Sequence, residues 1–198
     1  MKSLKMSIKK DFWDTQYREG NTGWDIGRVS TPLKEYFDQL TDKSVSILIP
    51  GAGNGYEAEY LNKLGFTDVT VVDISPTVIT QFKERIANFP GNKIIDTDFF
   101  ELTGQFDLII EQTFFCAIVP SLRSEYAKKV AGLLKPTGKL AGLMFDAPLN
   151  TDHPPYGGSC EEYKAYFTPF FNVDIMDSSY NSIESRIGKE VFVKMTKK

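Results

Sequence analysis

The sequence predicts an α/β fold: a doubly wound, mostly parallel sheet with one reversed strand near the C-terminus. Three observations carry that expectation. Strand-like and helix-like segments alternate through the middle of the 198-residue chain, the pattern of parallel strands joined by helical crossovers. A turn with glycines at Gly51, Gly53 and Gly55 follows the first strand. The last two strand-like pieces have no helix-length segment between them, so one of them runs antiparallel to its neighbour. The expected sheet has roughly five or six parallel strands and one reversed strand.

Residues 1–29, which include "FWDTQYREGNTGWDIGR", show no clean period. They read as a helical turn or two and a loop, an appendage that covers something. In "STPLKEYFDQL", Thr31 reads as a helix cap and Pro32 as the first helical position. Leu33, Tyr36, Phe37 and Leu40 then recur at helical spacing. "SVSILI" is the first strand, and "GYEAEYLNKL" is a helix stopped by Gly65. "VTVVDI" reads as a buried strand; Ser75 caps and Pro76 opens the helix "SPTVITQFKERIANF". "KIIDTDFF" holds a short strand, "FDLIIEQ" the fourth strand, and "SLRSEYAKKVAGLL" a helix. "KPTGKLAGLMF" is a breaker followed by the fifth strand. Ser159 and Glu162 have the spacing of a capping box opening "CEEYKAYF". "FFNVDIMD" and "GKEVFVKM" are the closing strands. Repeats and low-complexity segments are absent.

Composition narrows the function classes. With 41% hydrophobic and 25% charged residues, a packed core is expected and wholesale disorder is not. A net charge of −3 gives no basic footprint for nucleic acid. Lys2, Lys5, Lys9 and Lys10 are not followed by an apolar stretch, so neither a signal peptide nor a membrane span is expected. Cys116 and Cys160 make no metal spacing and no disulfide framework, and the single histidine, His153, excludes a histidine-rich metal site. The expectation is a cytoplasmic protein with a small-molecule substrate, no metal, and no membrane or nucleic-acid partner. The sequence is compatible with a monomer and does not set the oligomeric state.

In doubly wound sheets ligands bind beyond the C-terminal ends of the strands. Gly51, Gly53 and Gly55 occupy that place after Pro50. A Walker lysine is missing, and Tyr56 stands where the dinucleotide pattern wants its third glycine. The turn alone is compatible with an adenosine cofactor or with no ligand. Asp73 ends the second strand, 22 residues after Gly51, where a carboxylate accepts the hydroxyls of an adenosine ribose; the competing reading is an acid beside a helix start. Asp98 and Phe99 follow the third strand and suit an adenine, against a turn acid and a core ring.

With these residues the chain resembles class I S-adenosylmethionine-dependent methyltransferases. It is most similar to the thiopurine methyltransferase family, in particular its thiol and halide methyltransferase branch. "ILIPGAGNGYE", "VVDIS" and "TDFFEL" carry the superfamily likeness; "FWDTQYREGNTGWDIGR", "TFFCAIVPSLR" and "HPPYGG" are more specific. The resemblance implies a Rossmann-like seven-stranded sheet and S-adenosylmethionine as cofactor, with S-adenosylhomocysteine as product. It implies that Gly51, Gly53 and Gly55 approach the methionine part, Asp73 the ribose, Asp98 and Phe99 the adenine, with Gln112 beside the cofactor. Trp13, Tyr17 and Trp24 are implied as cofactor-binding residues of a lid within residues 1–29 of a single domain, 1–198. Tyr17 stands where relatives often carry tryptophan, and Gln112 where they carry tyrosine or arginine.

Methyl transfer from a sulfonium needs alignment and water exclusion more than acid–base chemistry. Trp24, Phe114, Phe115 and Tyr156 are the candidate aromatic walls, against plain core packing. A halide or thiocyanate needs no base, whereas a thiol near its reference pKa of about 8.5 gains from one. His153 is the candidate base, against a solvated loop histidine, and Arg123 the candidate anion attractor, against a surface charge at a helix start. Cys116 reads as a small buried apolar residue. The expected acceptor is a thiol, thiocyanate, halide or thiopurine-like compound. An oxygen, nitrogen or metalloid acceptor, or cofactor binding without turnover, are the alternatives.

Overall fold

The computed structural model describes residues 2–198, with side chains from Lys10 onward. Met1 and the side chains of Lys2, Lys5 and Lys9 lie outside the described residues. Helices α1 (Lys2–Glu19) and α2 (Thr31–Asp38) precede an alternating series: β1 (Ile47–Pro50), α3 (Tyr56–Lys63), β2 (Val69–Asp73), α4 (Pro76–Arg85), β3 (Ile94–Asp96), β4 (Phe106–Gln112), α5 (Arg123–Leu133), β5 (Leu134–Phe145). Helix α6 (Cys160–Phe167) and strands β6 (Phe171–Ser178) and β7 (Glu190–Lys197) complete the chain.

The seven strands form one sheet in the order β3-β2-β1-β4-β5-β7-β6. Pairs from β3 to β5 are parallel, and β7 runs antiparallel to both β5 and β6. Every residue of β1 and β2 is buried, as expected where helices cover both faces of a parallel sheet. The side-chain alternation of a strand separates the two cores. Leu48 and Ile109 pack with Tyr126, Val130 and Phe167 beneath α5 and α6. Ile47, Ile49, Leu108 and Ile110 pack with Phe37, Leu61 and Phe82 beneath α2, α3 and α4.

Three local expectations are corrected. Residues 2–19 form one long helix rather than a turn or two, and Phe12, Trp13, Gln16 and Tyr17 of it line a cavity. Ser30, not Thr31, sits at the cap position of α2, and its side chain makes no cap bond. The "KPTG" breaker lies inside β5: the register jumps between the Phe106–Leu134 and Leu108–Lys139 pairs, and Thr137 takes φ +63°. The bulge absorbs the extra residues without ending the strand.

Candidate active site

Strand β1 lies between β2 and β4, so the crossovers on its two sides run in opposite directions and leave a crevice at the C-terminal strand ends. A cavity of about 670 Å³ opens there. The glycine turn after β1, Asp73 at the end of β2, Asp98 and Phe99 after β3, and Gln112 and Phe114 after β4 all line it. The topology therefore gathers residues that are up to 63 positions apart in sequence, from Gly51 to Phe114.

Two glycines in the turn are required by both backbone and space. Gly51 has φ +56° and Gly53 φ +53°, a region that side chains rarely adopt. A Cβ on Gly51 would lie 2.1 Å from Phe114 Cδ2, and one on Gly53 2.6 Å from the Tyr17 hydroxyl. The Gly53 N–H donates to Asp73 Oδ2 and the Ser75 N–H to Asp73 Oδ1, each at 3.0 Å. Burial pushes the Asp73 carboxyl above its ordinary range, against the pull of backbone N–H groups from Ser75, Gly53 and Ile74. A carboxylate accepts about four hydrogen bonds, so Asp73 is fixed in place with acceptor capacity to spare on the cavity wall.

The wall after β3 is arranged differently from expectation in one respect. Asp98 Oδ1 accepts from the Phe100 N–H at 2.9 Å, which tightens the turn. Phe99 is only 4% exposed, and its ring packs edge-on against Phe100 and Phe114, with centroids 5.5 and 5.3 Å away. Phe100, which sequence reasoning passed over, lines the same wall and is less buried.

A buried acid that was not singled out organises the loop after β4. Glu111 is fully buried. Its Oε1 accepts from the N–H groups of Phe114 (2.8 Å) and Phe115 (2.7 Å), and its Oε2 accepts from the Tyr126 hydroxyl (2.5 Å). Burial raises its pKa to about 7 despite these donors. The clamp turns Phe114 toward the cavity and Phe115 away from it. The expectation of Phe115 as a pocket wall is thus corrected: its ring sits in the core against Tyr126, Tyr163 and Phe167. An acid inside the apolar run of "FDLIIEQ" was the available signal.

Arg123 is also displaced from its expected role. It is 1% exposed, so it is neither a surface charge nor a cavity residue. Nη1 donates to Glu162 at 3.0 Å, and Nη2 donates to the carbonyls of Tyr156 (3.3 Å) and Gly157 (2.9 Å). Its guanidinium lies 4.8 Å from the Phe115 ring centroid. Glu162 is thereby engaged with Arg123, while the Ser159 hydroxyl accepts from the Glu162 N–H at 3.2 Å. Arg123 ties the "HPPYGG" loop to the core. The Tyr156 N–H donates to the Cys116 carbonyl at 2.7 Å and fixes that loop against the post-β4 loop. Tyr156 and His153 both line the cavity; His153 is exposed, with Nδ1 2.9 Å from the carbonyl of Pro154. Burial pushes the Cys116 thiol up to about 12, so it is no nucleophile.

The N-terminal segment lies across the cavity. Trp24 packs edge-on against Trp13 and Tyr17, with centroids 5.5 and 5.8 Å away, and its indole N–H donates to the Tyr17 hydroxyl at 3.4 Å. Asp14 on α1 accepts from the Ser75 hydroxyl (2.8 Å) and the Thr77 N–H (2.9 Å), so α1 supplies a carboxylate to the N-terminus of α4. The following loop is held by Asn54 donating to Asp25, Arg186 donating to the Trp24 carbonyl, and the Ser30 N–H donating to the buried Glu57 at 3.2 Å. Burial raises Glu57 to about 7.

Comparisons with known proteins place the chain by family and fold. The model of the family described as Thiopurine S-methyltransferase matches residues 8–197. The chain is 31% identical over 173 residues to "Probable thiol methyltransferase 2" of Arabidopsis thaliana, covering 84% of this chain and 76% of that protein. It is 31% identical over 196 residues to "Thiocyanate methyltransferase 1" of Brassica oleracea, covering 96% of this chain and 86% of that protein. Among solved structures, 1,6-didemethyltoxoflavin-N1-methyltransferase of Burkholderia thailandensis, with bound 1,6-didemethyltoxoflavin and S-adenosylhomocysteine, superposes with a TM-score of 0.77. That match has 16% identity and covers 98% of this chain and 89% of that one.

Proposed function

Since the chain belongs to the thiopurine S-methyltransferase family of S-adenosylmethionine-dependent methyltransferases, we propose that its acceptor is a small soft nucleophile: a thiol, thiocyanate, halide or thiopurine-like compound. The observation that supports this acceptor is the lining of the cavity. Around the strand ends it presents the rings of Trp13, Trp24, Phe114 and Tyr156; the raised carboxyl of Glu57 on the same lining is buried and already accepts from the Ser30 N–H. His153 is exposed and the Cys116 thiol is buried and protonated. A nucleophile that is already an anion needs water removed more than it needs a proton taken. The names of the thiol and thiocyanate methyltransferases among its relatives point the same way.

The residues fit an adenosine cofactor. Asp73, already oriented by two backbone N–H groups, takes the ribose hydroxyls. Asp98 with Phe99 borders the adenine, the backbone of Gly51, Gly53 and Gly55 the methionine part, and Gln112 lies beside it. Bound S-adenosylmethionine supplies a methyl group on a sulfonium, ready for in-line displacement. The chain's part is to hold the acceptor on the far side of that methyl and to exclude water. Aligned near-attack geometry contributes roughly 7–11 kcal/mol to such a step. Headspace analysis after incubation with cofactor and iodide, thiocyanate or bisulfide is expected to show the methylated volatile product. Absence of product from all three removes the soft-nucleophile reading and leaves cofactor use standing.

Residues 1–29 act as a lid of the single 1–198 domain in this reading, closed by Trp13, Tyr17 and Trp24 and latched by Asp14. An Asp14→Ala variant should bind S-adenosylhomocysteine about three- to tenfold more weakly, since a helix-capping carboxylate contributes about 0.5–2 kcal/mol. Titration calorimetry reads this directly; unaltered affinity would mean that closure does not depend on the latch.

A further inference from the structure

We infer that Arg28 is the anion-recognition residue of the acceptor site, so that the methyl acceptor enters as a negatively charged species rather than as a neutral thiol or amine. The inference rests on the soft-nucleophile reading and narrows it. The chain has five arginines. Four are engaged: Arg18 with Asp14, Arg85 with Glu59, Arg123 with Glu162, and Arg186 with Glu190. Arg28 has no hydrogen bond or ion pair among the described residues. Among the described residues it is also the sole lysine or arginine on the cavity lining.

Its loop is built to hold it there. Asp25 Oδ1 accepts from the Gly27 N–H at 2.6 Å, and Asp25 Oδ2 accepts from Asn54. On the other side Ser30 is tied to Glu57 through its N–H, and its hydroxyl donates to Gln112 at 3.4 Å. An arginine whose loop is fixed at both flanks, with its own guanidinium unpaired among the described residues, retains five donors for a ligand. None of the acids on the lining is ion-paired with it among the described residues: Asp25, Glu57, Asp73 and Asp98 each accept from backbone N–H groups instead, and Asp152 lies near His153. An exposed cation at the mouth of a cleft concentrates small anions, an effect that weakens with ionic strength.

Two measurements test this. In turnover, Arg28→Gln is expected to raise the KM for thiocyanate or iodide by roughly tenfold, the scale of one charge-assisted contact, with S-adenosylhomocysteine affinity unchanged. Arg28→Lys should recover part of the loss, because the charge is kept. The second readout needs no turnover. The only tryptophans, Trp13 and Trp24, both line this cavity, and iodide quenches their fluorescence on contact. In the S-adenosylhomocysteine complex, Arg28→Gln should lower iodide quenching relative to quenching by neutral acrylamide. If KM and this ratio are both unchanged, the inference is wrong. It is equally overturned if cofactor affinity falls while KM stays fixed, which would assign Arg28 to the cofactor's carboxylate. If no anion is methylated by the wild-type protein and the ratio still falls in Arg28→Gln, the anion site stands and the soft-nucleophile reading fails.

Discussion

Replacing Asp73 by alanine is expected to raise the dissociation constant for S-adenosylhomocysteine at least tenfold. The carboxylate is 8% exposed and is already oriented by the N–H groups of Gly53 and Ser75. No ordering cost therefore remains when the ribose hydroxyls arrive. Hydrogen bonds to a charged group contribute about 1.5–3 kcal/mol, and one such bond accounts for the tenfold figure. The pH dependence has a definite sign. Burial raises the Asp73 pKa, so as the pH falls the wild type should lose affinity earlier than an ordinary aspartate would allow. In Asp73→Ala that acid limb should be missing. Calorimetric titrations from pH 7.5 downward measure both effects. Equal affinities and parallel pH profiles for the two proteins would show that Asp73 is not a cofactor ligand.

Gly51→Ala is expected to destabilise the protein by about 2–5 kcal/mol and to abolish measurable cofactor binding. At φ +56° an alanine costs about 1–2 kcal/mol. The added Cβ would also meet Phe114 Cδ2 at 2.1 Å, and overpacking of this kind costs about 1–3 kcal/mol. Phe114 has little room to move, because Glu111 holds its N–H and its ring packs against Phe99 and Tyr126. Relief must come from the turn itself or from the post-β4 loop, and both line the cavity. Urea denaturation gives the stability change, and calorimetry with S-adenosylhomocysteine gives the binding. A folded variant with wild-type midpoint and affinity would show that the turn is not crowded in solution.

The two variants probe features of different legibility. Asp73 could be found in the sequence because an acid closing a buried strand, a fixed distance beyond a glycine turn, is a local pattern with a chemical purpose. The crowding at Gly51 could not, because the ring that occupies the space belongs to Phe114, 63 residues downstream in the loop after the neighbouring strand β4. Phe114 and Phe115 are adjacent in sequence, and composition treats them alike. Glu111 separates them by holding both N–H groups with one oxygen, so one ring lines the cavity and the other packs in the core. Arg123 shows the converse failure. Its place at a helix start suggested a solvent-facing charge or an anion trap, but its three partners, Glu162 and the carbonyls of Tyr156 and Gly157, come from more than thirty residues downstream. The N-terminal helix escaped recognition because its fixed points are polar. Asp14 on Ser75 and Thr77 leaves no apolar period to read.

The sequence by itself determined the order of elements, the parallel sheet with its reversed strand, and the strand ends on which a ligand site is built. These follow from side-chain periodicity, turn chemistry and connection length, all of which act between near neighbours along the chain. Only the tertiary structure decided which ring faces the cavity, which arginine is consumed as a tie and which remains unpaired, and where the N-terminal helix docks. Those outcomes depend on hydrogen-bond partners and excluded volume supplied by distant segments. A buried charge takes whichever partner the fold brings to it, and that partner is set by the packing of the whole chain.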